Sequence, residues 1–156
     1  MNDEHFLRQA LDLAHTHMQA GEGGPFGAVV VKDGVIVGEG WNQVTSTNDP
    51  TAHAEVQAIR DAGRRLGTFN LAGAVLYASC QPCPMCLAAT YWSRVDRLVY
   101  GGSAEDAAAV GFDDAFLHDQ LRRDPKERSL PVTHILPEES KAVFEAWAAK
   151  DDKVPY

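Results

Sequence analysis

The sequence predicts an α/β protein with the fold class of a three-layer α/β/α sandwich around a mixed central sheet. Its predicted strands and helices follow the order ββαβαβ and are succeeded by further helices, an alternation that is typical of such layered folds. The chain has 156 residues, of which 45% are hydrophobic and 23% are charged, so its composition is that of an ordinary globular protein. A chain of this length buries enough surface to fold without disulfides, and we expect one domain over residues 1–156.

The N-terminal region is predicted to form one amphipathic helix over residues 2–20. Apolar side chains recur there at steps of three and four residues, which places them on one face of a helix. Asn2 is a favoured residue for the N-cap, and Gly21 suits the position that ends a helix. The chain is therefore expected to enter the rest of the domain from a helix.

A β-hairpin is predicted next, after a run of helix breakers at 23–27. Two apolar runs, at 28–31 and 35–37, flank the dipeptide Asp33-Gly34. Asp-Gly is favoured in the type I′ turn, whose twist matches that of the paired strands. We therefore expect these two runs to form the first two strands of the sheet.

The middle of the chain alternates between helix and strand after a polar stretch at 42–51. The predicted elements are a helix at about 52–66, a buried strand at 74–78, a helix at about 84–93 and a strand at 97–100. Pro82 and Pro84 mark the turn into the second of these helices, because proline is tolerated at the first position of a helix but not in its interior. These four elements supply the αβαβ part of the pattern.

The C-terminal third is predicted to be mainly helical. Residues 103–123 carry a helical pattern that Gly111 interrupts, and Pro137 opens a last helix with apolar side chains on one side. Between them, the apolar run at 132–136 is expected to form a fifth strand. No internal repeat, linker or low-complexity segment divides the sequence.

Charge and composition argue against two classes of partner. The 14 lysines and arginines are outnumbered by 22 aspartates and glutamates, which gives a formal net charge of −8. Because phosphate backbones reward clustered basic side chains, we expect no nucleic-acid partner. No apolar run approaches the roughly 18 residues that a membrane helix needs, and the first residues lack the features of a signal peptide, so we expect no membrane association.

All three cysteines of the chain, Cys80, Cys83 and Cys86, lie close together in the sequence. An odd number of crowded thiols is not the disulfide framework of a secreted protein, so a reducing, cytoplasmic location is expected. Thiols at this spacing indicate a metal site, a redox site or a chance grouping, and the rest of the chain decides between these alternatives.

Two short motifs carry the candidate chemistry: His53 with Glu55, and Cys83 with Cys86. Each lies at the predicted start of a helix. The two cysteines are three residues apart, so they share a helix face, and a helix N-terminus favours the thiolate form. Two thiolates and one imidazole suit Zn²⁺, and three protein ligands leave the fourth tetrahedral position for water, which is the pattern of a catalytic zinc site.

Glu55 is expected to act beside the metal without binding it. Side chains two residues apart point nearly opposite ways in mid-helix, so His53 and Glu55 converge only when the helix begins at His53. Pro50 supports that boundary, because the residue before a proline avoids helical angles. A carboxylate so placed can take a proton from water and pass it to a ring nitrogen and then to a leaving amine.

Each motif alone has a simpler explanation. A lone His-x-Glu at a helix start is usually a surface turn, and a lone Cys-x-x-Cys is as often incidental as functional. Cys80 adds another alternative: as a fourth ligand it would close a structural Cys₃His site, although a small thiol packed at a strand end is favoured. An iron–sulfur cluster is disfavoured because no fourth cysteine exists. A non-catalytic zinc module therefore stands as the alternative to a zinc hydrolase.

The motifs at 53–55 and 82–86 resemble the H-x-E…P-C-x-x-C signature of the cytidine-deaminase-like zinc deaminases. With the preceding residues from 48 onwards, they are similar to the branch that contains guanine deaminases and tRNA adenosine deaminases. The similarity to bacterial guanine deaminases runs along the chain, through segments at 24–28, 91–92 and 111–114 and the tyrosine at 156.

This resemblance implies a metal centre and the residues that contact a substrate. One zinc ion per chain would be held by His53, Cys83 and Cys86, and Glu55 would be the catalytic proton shuttle. The residues implied to contact a purine base are Asn42 as a hydrogen-bonding partner, Asp114 at the Watson–Crick edge, Phe26 and Trp92 as walls of the ring, Ala54 as a further contact and Tyr156 as the residue that closes the pocket.

The activity that the resemblance implies is hydrolysis of a free purine base, with guanine converted to xanthine and ammonia as the first expectation. It also implies a homodimer in which the C-terminal segment, about 137–156, crosses to the partner subunit, so that Tyr156 would serve the partner's site. The alternative within the branch is a tRNA adenosine deaminase, which the net charge of −8 disfavours.

Overall fold

The computed structural model describes residues 2–156, which divide into two compact units, one ending at Ala115 and one beginning at Phe116. The first unit contains a β-sheet and the helices that cover it. In chain order its elements are α1 (Asp3–Gln19), β1 (Gly27–Lys32), β2 (Val35–Trp41), α2 (Val44–Thr47), α3 (Ala54–Leu66), β3 (Ala74–Cys80), α4 (Pro84–Trp92), β4 (Arg97–Gly102) and α5 (Ala104–Ala108).

The four strands form one mixed sheet in the order β2–β1–β3–β4. Strand β1 runs antiparallel to both β2 and β3, whereas β3 and β4 are parallel and are connected through α4. The turn between β1 and β2 is the predicted one: Asp33 and Gly34 have φ angles of 51° and 76°, and a type I′ turn requires positive φ at both positions. The predicted mixed sheet is thus confirmed.

Helices cover both faces of the sheet and complete the three predicted layers. Alternate residues of a strand point to opposite faces, and both faces here are apolar. On one face, Val30 and Leu76 are buried with the alanines of α3, and α4 lies beside α3. On the other face, Val29 and Tyr77 are buried with Phe6 of α1. Removal of these apolar surfaces from water is the main driving force for the sandwich.

Glycines in β2 allow α3 to lie directly on the sheet. A Cβ atom at Gly38 would lie 2.5 Å from the carbonyl oxygen of Ala58, and one at Gly40 would lie 2.2 Å from the carbonyl oxygen of Ala54. No side chain fits between the two backbones at these points, so the helix rests on the strand itself. This contact fixes the start of α3, which is where the first predicted metal ligand lies.

The second unit consists of α6 (Ala115–Arg122), which starts at the boundary, a 3₁₀ turn (Pro125–Glu127) and α7 (Pro137–Ala148). The guanidinium of Arg128 donates a hydrogen bond to the carbonyl oxygen of Gln120, which ties the chain after the turn back to α6. None of the residues 116–156 is buried. Among residues 2–156, no helix is both long enough and apolar enough to cross a membrane.

Most predicted elements lie where the sequence places them. The first helix, the hairpin, the two helices that carry the site motifs, the two parallel strands and the helix opened by Pro137 are all present. The predicted interruption at Gly111 is also present, since this residue has a φ of 100° and separates α5 from α6. The sequence does not predict the short α2 or the 3₁₀ turn, because elements of three or four residues are too short to show a helical periodicity.

The predicted fifth strand at 132–136 is wrong. These residues form neither helix nor strand, and their side chains are exposed. A strand is stable only with a hydrogen-bonded neighbour, and residues 116–156 contain no other strand. The last residue of the run, Leu136, has a φ of 52°, which lies in the left-handed region and ends any extended conformation before Pro137.

Candidate active site

His53, Cys83 and Cys86 converge into one cluster. Their ligand atoms all lie within 4.8 Å of one another. The Nδ1 atom of His53 is 3.5 Å from the sulfur of Cys83 and 3.4 Å from the sulfur of Cys86. Two residues from one helix start and one from another therefore surround a space of the size that a single metal ion occupies.

The starts of α3 and α4 position these three side chains. His53 is the residue before α3 and Cys83 is the residue before α4, and both have extended backbone conformations, with ψ of 154° and 169°. Pro84 occupies the first turn of α4, where its fixed φ angle favours the helix. Cys86 lies one turn further along the same helix and is buried. Both helix N-termini thus direct free backbone N–H groups and a positive dipole end towards the cluster.

The two cysteines are electrostatically prepared to bind a cation. A hydrogen bond from Cys86 lowers the pKa of Cys83 to about 4. The same hydrogen bond, together with burial, raises the pKa of Cys86. The pair therefore shares one proton, held on Cys86, and a divalent cation between the sulfurs would displace it.

The imidazole belongs to the same set of interactions. The hydrogen bond to Cys83 raises the pKa of His53, although burial of the ring opposes this effect. Two thiolates and one imidazole nitrogen are the ligand types that zinc prefers, and the three ligands leave one tetrahedral position for a non-protein ligand. His53, Cys83 and Cys86 therefore have the ligand types and spacing that a zinc ion requires.

Glu55 lies in the first turn of α3, is 7% exposed and is not a member of the metal cluster. Burial raises the pKa of its carboxyl, while a hydrogen bond with the thiol of Cys86 opposes that effect. The carboxyl is thus placed next to the metal ligands in a site where it exchanges a proton more readily than an exposed glutamate would at neutral pH.

Asn42 is buried at the end of β2, and its side-chain oxygen already has two partners. The backbone N–H groups of Gly24 and Val44 both donate to Oδ1, each at 3.1 Å. Two N–H donors can face only an oxygen, which fixes the orientation of the amide. The amide NH₂ group is therefore the part of Asn42 that is left to meet a ligand, and it can only donate.

Phe26 and Asp114 lie on two loops that meet. The ring of Phe26 packs edge-to-face against Phe112 with a centroid distance of 5.0 Å and an interplanar angle of 88°. Asp114 lies two residues beyond Phe112 in the loop between α5 and α6, and it is partly buried. A Cβ atom at Gly24 would lie 3.3 Å from the ring of Phe112, so the glycine is part of this contact. Sequence reasoning gave Phe112 no role, because a pairing between distant loops leaves no local pattern.

The other predicted contact residues have different positions. Ala54 is buried at the start of α3, next to His53. Trp92 ends α4, is 63% exposed and has the guanidinium of Arg94 over its ring at 5.9 Å. Tyr156 belongs to the second unit and is 78% exposed.

Cys80 does not belong to the metal cluster of the described residues. It is the last residue of β3, and its thiol donates a weak hydrogen bond to the carbonyl oxygen of Ser103 at 3.5 Å. Burial raises the pKa of this thiol, in contrast to Cys83, so the neutral form is favoured.

Residues 1–102 match the family model described as the cytidine and deoxycytidylate deaminase zinc-binding region. This chain belongs to that deaminase family. The match covers both helix starts that form the cluster, and zinc is the cofactor of the deaminase, with His53, Cys83 and Cys86 positioned to bind it.

Individual relatives differ in the share of this chain that their similarity covers. The present chain is 48% identical to the guanine deaminase of Bacillus subtilis over 156 residues, which is 100% of both chains. It superimposes on the X-ray structure of that enzyme with a TM-score of 0.97, covering 100% of this chain and 99% of the other. The tRNA-specific adenosine deaminase of Buchnera aphidicola is 44% identical over 104 residues, which is 67% of this chain and 68% of the relative. A structure of the guanine deaminase from Nitrosomonas europaea is 31% identical with a TM-score of 0.69, covering 74% and 66% of the two chains.

Proposed function

We propose that this deaminase is a zinc-dependent guanine deaminase, which hydrolyses guanine to xanthine and ammonia. The observation that carries the proposal is the full-length likeness to the Bacillus subtilis guanine deaminase, at 48% identity over both whole chains. The likeness to a tRNA-specific adenosine deaminase covers only about two-thirds of this chain. A net charge of −8 also disfavours an RNA substrate.

The proton transfers of the reaction fall to Glu55. When bound, zinc lowers the pKa of a water molecule and so supplies the attacking nucleophile. The Glu55 carboxylate would accept a proton from the attacking water and donate it to N3, the unprotonated ring nitrogen beside C2, as the new C–O bond forms. It then carries the second proton of the water to the exocyclic nitrogen, so that the C–N bond breaks and neutral ammonia leaves.

Hydrogen bonds from Asn42 and Asp114 would select the base. Guanine has acceptors at O6, N3 and N7 and donors at N1–H and N2–H₂. Because its oxygen is occupied by two backbone N–H groups, Asn42 offers a donor, which complements one of the acceptors. The Asp114 carboxylate accepts from the donor edge. A base that lacks the complementary groups could not form these hydrogen bonds, which is a strong basis for discrimination.

The remaining predicted contacts shape the pocket. We assign Phe26 and Trp92 to the faces of the base and Ala54 to its edge near the metal, where a small buried side chain leaves room for the ring. Through the proposed exchange of the C-terminal segment, Tyr156 would close the pocket of the partner subunit. These roles rest on the likeness to guanine deaminases and on the burial of Ala54 and the loop contact of Phe26.

A homodimer with an exchanged C-terminal segment is part of the same proposal, and the deaminase domain then comprises residues 1–156. Apolar side chains of α7 are exposed in the single chain, among them Val143, Phe144 and Trp147. A second copy that covered them would remove a continuous apolar stripe from water. Light scattering should give a particle of twice 17.0 kDa, and a particle of 17.0 kDa alone would refute the dimer.

We expect the enzyme to act in the cytoplasm. Cys80, Cys83 and Cys86 are all free thiols, and a reducing compartment preserves thiols that bind a metal.

The proposed function is tested by an ammonia-release assay on purified, zinc-quantified protein. Guanine, adenosine and an RNA hairpin carrying the wobble adenosine of a tRNA are offered separately. Guanine is expected to release ammonia and yield xanthine, while the other two release none. Inosine formation in the hairpin without turnover of guanine would identify a tRNA adenosine deaminase instead.

A further inference from the structure

We infer that His17, Glu22 and Trp41 form a positioning cluster that holds Asn42 in its base-binding geometry, an inference that rests on the proposed role of Asn42. A single carboxylate oxygen joins the three side chains. Glu22 Oε2 accepts a hydrogen bond from the indole N–H of Trp41 at 2.6 Å and lies 2.9 Å from Nδ1 of His17. The two rings stack with a centroid distance of 3.6 Å and an interplanar angle of 5°.

The positioning cluster connects three parts of the first unit. His17 lies in the last turn of α1, Trp41 is the last residue of β2, and Glu22 lies in the loop that follows α1. The backbone N–H of Glu22 also donates to the carbonyl oxygen of His17 at 3.1 Å, so the loop is attached to the helix through both backbone and side chain.

Two members of the positioning cluster, Trp41 and Glu22, are followed in the chain by residues that adjoin or include Asn42. Trp41 is the residue before Asn42 in the chain. After Glu22 comes Gly23, which packs so closely that a Cβ atom there would lie 2.0 Å from the carbonyl oxygen of Asn42. The next residue, Gly24, donates its N–H to Asn42 Oδ1. A shift of this loop by about an ångström would therefore break the bond that orients the amide.

The loop needs such an attachment because its own sequence gives it little rigidity. Gly21 has a φ of 75°, and Gly23 and Gly24 follow close behind, so the backbone here has more conformational freedom than side-chain-bearing residues would give it. Ordering a glycine-rich segment costs conformational entropy, which a charge-assisted hydrogen bond can offset. Glu22 is the side chain that supplies this bond within the loop.

The solvent exposure of the positioning cluster indicates that its side chains orient Asn42 and are not part of the hydrophobic core. The side chains of His17 and Glu22 are 22% and 38% exposed, so neither is part of the buried core. The net contribution of one hydrogen bond between partly exposed side chains to stability is small. Removal of Glu22 is therefore expected to affect base binding more than folding.

The first test compares the kinetics of Glu22→Ala with those of Glu22→Gln and Glu4→Ala. Glu4 is a matched control because its carboxylate pairs with Arg8 at 2.8 Å on the surface of α1, away from the positioning cluster. For Glu22→Ala, the KM for guanine should rise by about tenfold while kcat stays within about twofold, because a binding contact is lost without a change at the reacting atoms. The amide oxygen of Glu22→Gln can still accept from Trp41 and should restore most of the affinity, and Glu4→Ala should behave as wild type.

A double-mutant cycle with Asn42→Ala tests whether Glu22 acts through Asn42. If it does, adding Glu22→Ala to Asn42→Ala changes the KM no further, because the orienting effect has no target left. If the two substitutions raised KM independently, so that the double variant showed the product of the two single increases, the inference would be overturned. It would also be overturned if Glu22→Ala had the same KM as Glu4→Ala.

A third measurement is independent of catalysis. The side-chain amide signals of Asn42 in a ¹⁵N–¹H spectrum are identified by their loss in Asn42→Ala. They should shift or broaden in Glu22→Ala and keep their positions in Glu4→Ala. A wild-type enzyme inactive on guanine would refute the proposed function alone, and unchanged Asn42 signals in Glu22→Ala would refute the positioning cluster alone.

Discussion

Glu55 and His53 face the same space because a helix begins between them. His53 has an extended backbone with a ψ of 154°, and α3 starts at the next residue. Within a helix, side chains two residues apart would diverge by about 200°. The preceding turn is fixed by Asp49, whose carboxylate accepts hydrogen bonds from the backbone N–H and the hydroxyl of Thr51. The start of α3 lies where Pro50 predicts it, because the preference that a proline imposes on the residue before it is local.

Cys80 tests whether the zinc centre has three protein ligands or four. The thiol contacts the carbonyl oxygen of Ser103 and lies outside the metal cluster. We therefore expect Cys80→Ser to retain about one zinc per chain, whereas Cys83→Ser should lose most of its zinc, since one of three ligands is gone. Metal analysis of the two purified variants distinguishes the alternatives. Zinc loss in Cys80→Ser would indicate a closed, four-ligand site.

Tyr77 provides a prediction about pH. Its phenol is buried and donates to Asp3 Oδ1 at 2.8 Å; burial first, and then this hydrogen bond, raise the pKa of Tyr77 from 10.0 to about 12. A raised pKa means that the fold disfavours the phenolate. The stability that this group contributes is therefore complete below about pH 10 and is lost as the pH rises towards 12.

An ultraviolet titration of the folded protein measures this pKa directly. Tyr77→Phe should lack the phenolate step near pH 12, whereas Tyr100→Phe, which removes a half-exposed phenol, should keep it. A step near pH 12 that persisted unchanged in Tyr77→Phe would show that another tyrosine is responsible.

At the scale of elements, the contact between β2 and α3 determines where the metal ligands lie. A Cβ atom at Gly40 would lie 2.2 Å from the carbonyl oxygen of Ala54 and 2.3 Å from the backbone nitrogen of Ala58. Gly40→Ala should therefore push the start of α3 away from the sheet, at a cost of about 3 kcal/mol or more, and reduce zinc content.

Gly102→Ala in β4 is the matched control for this substitution, because its added Cβ atom would have no neighbour closer than 3.4 Å. Thermal unfolding and zinc analysis of both variants test the prediction. If Gly40→Ala bound zinc and unfolded like Gly102→Ala, the rigid seating of α3 on β2 would be disproved.

Elements with strong local signals could be predicted, and those that depend on distant contacts could not. The Asp33-Gly34 turn follows from the backbone preferences of two residues. The run at 132–136 has an apolar pattern, but strand formation depends on a neighbouring strand, which the sequence does not specify. The same limit applies within the site: the metal ligands could be predicted from their spacing, whereas the fixed oxygen of Asn42 depends on Gly24, eighteen residues away.

At the scale of the whole molecule, the proposed exchange of the C-terminal segment makes a prediction for Tyr156. Deletion of residues 154–156 should reduce turnover of guanine by about tenfold or more, because the pocket is no longer closed and the base is held less well. Zinc content should stay near one per chain, since all three proposed ligands lie in the first unit. The control is Asp152→Ala, a change in the same segment. Kinetics that matched wild type after the deletion would rule out a role for Tyr156.

The zinc centre also explains how a small acidic protein gains hydrolytic activity without a nucleophilic side chain. Two helix N-termini supply a thiolate, a buried thiol and an imidazole, and a buried carboxyl lies beside them. Metal binding and proton transfer are thereby assigned to different residues, so they can be separated by substitution.

The most direct test of this account is a parallel measurement of zinc content and guanine turnover in Glu55→Gln. The variant should retain about one zinc per chain, because Glu55 is not among the metal ligands, and ammonia release should fall by about 10²–10⁴-fold, the usual contribution of a general acid–base group. Full activity in zinc-loaded Glu55→Gln would contradict the assignment of proton transfer to Glu55, and loss of the zinc would contradict the three-ligand centre.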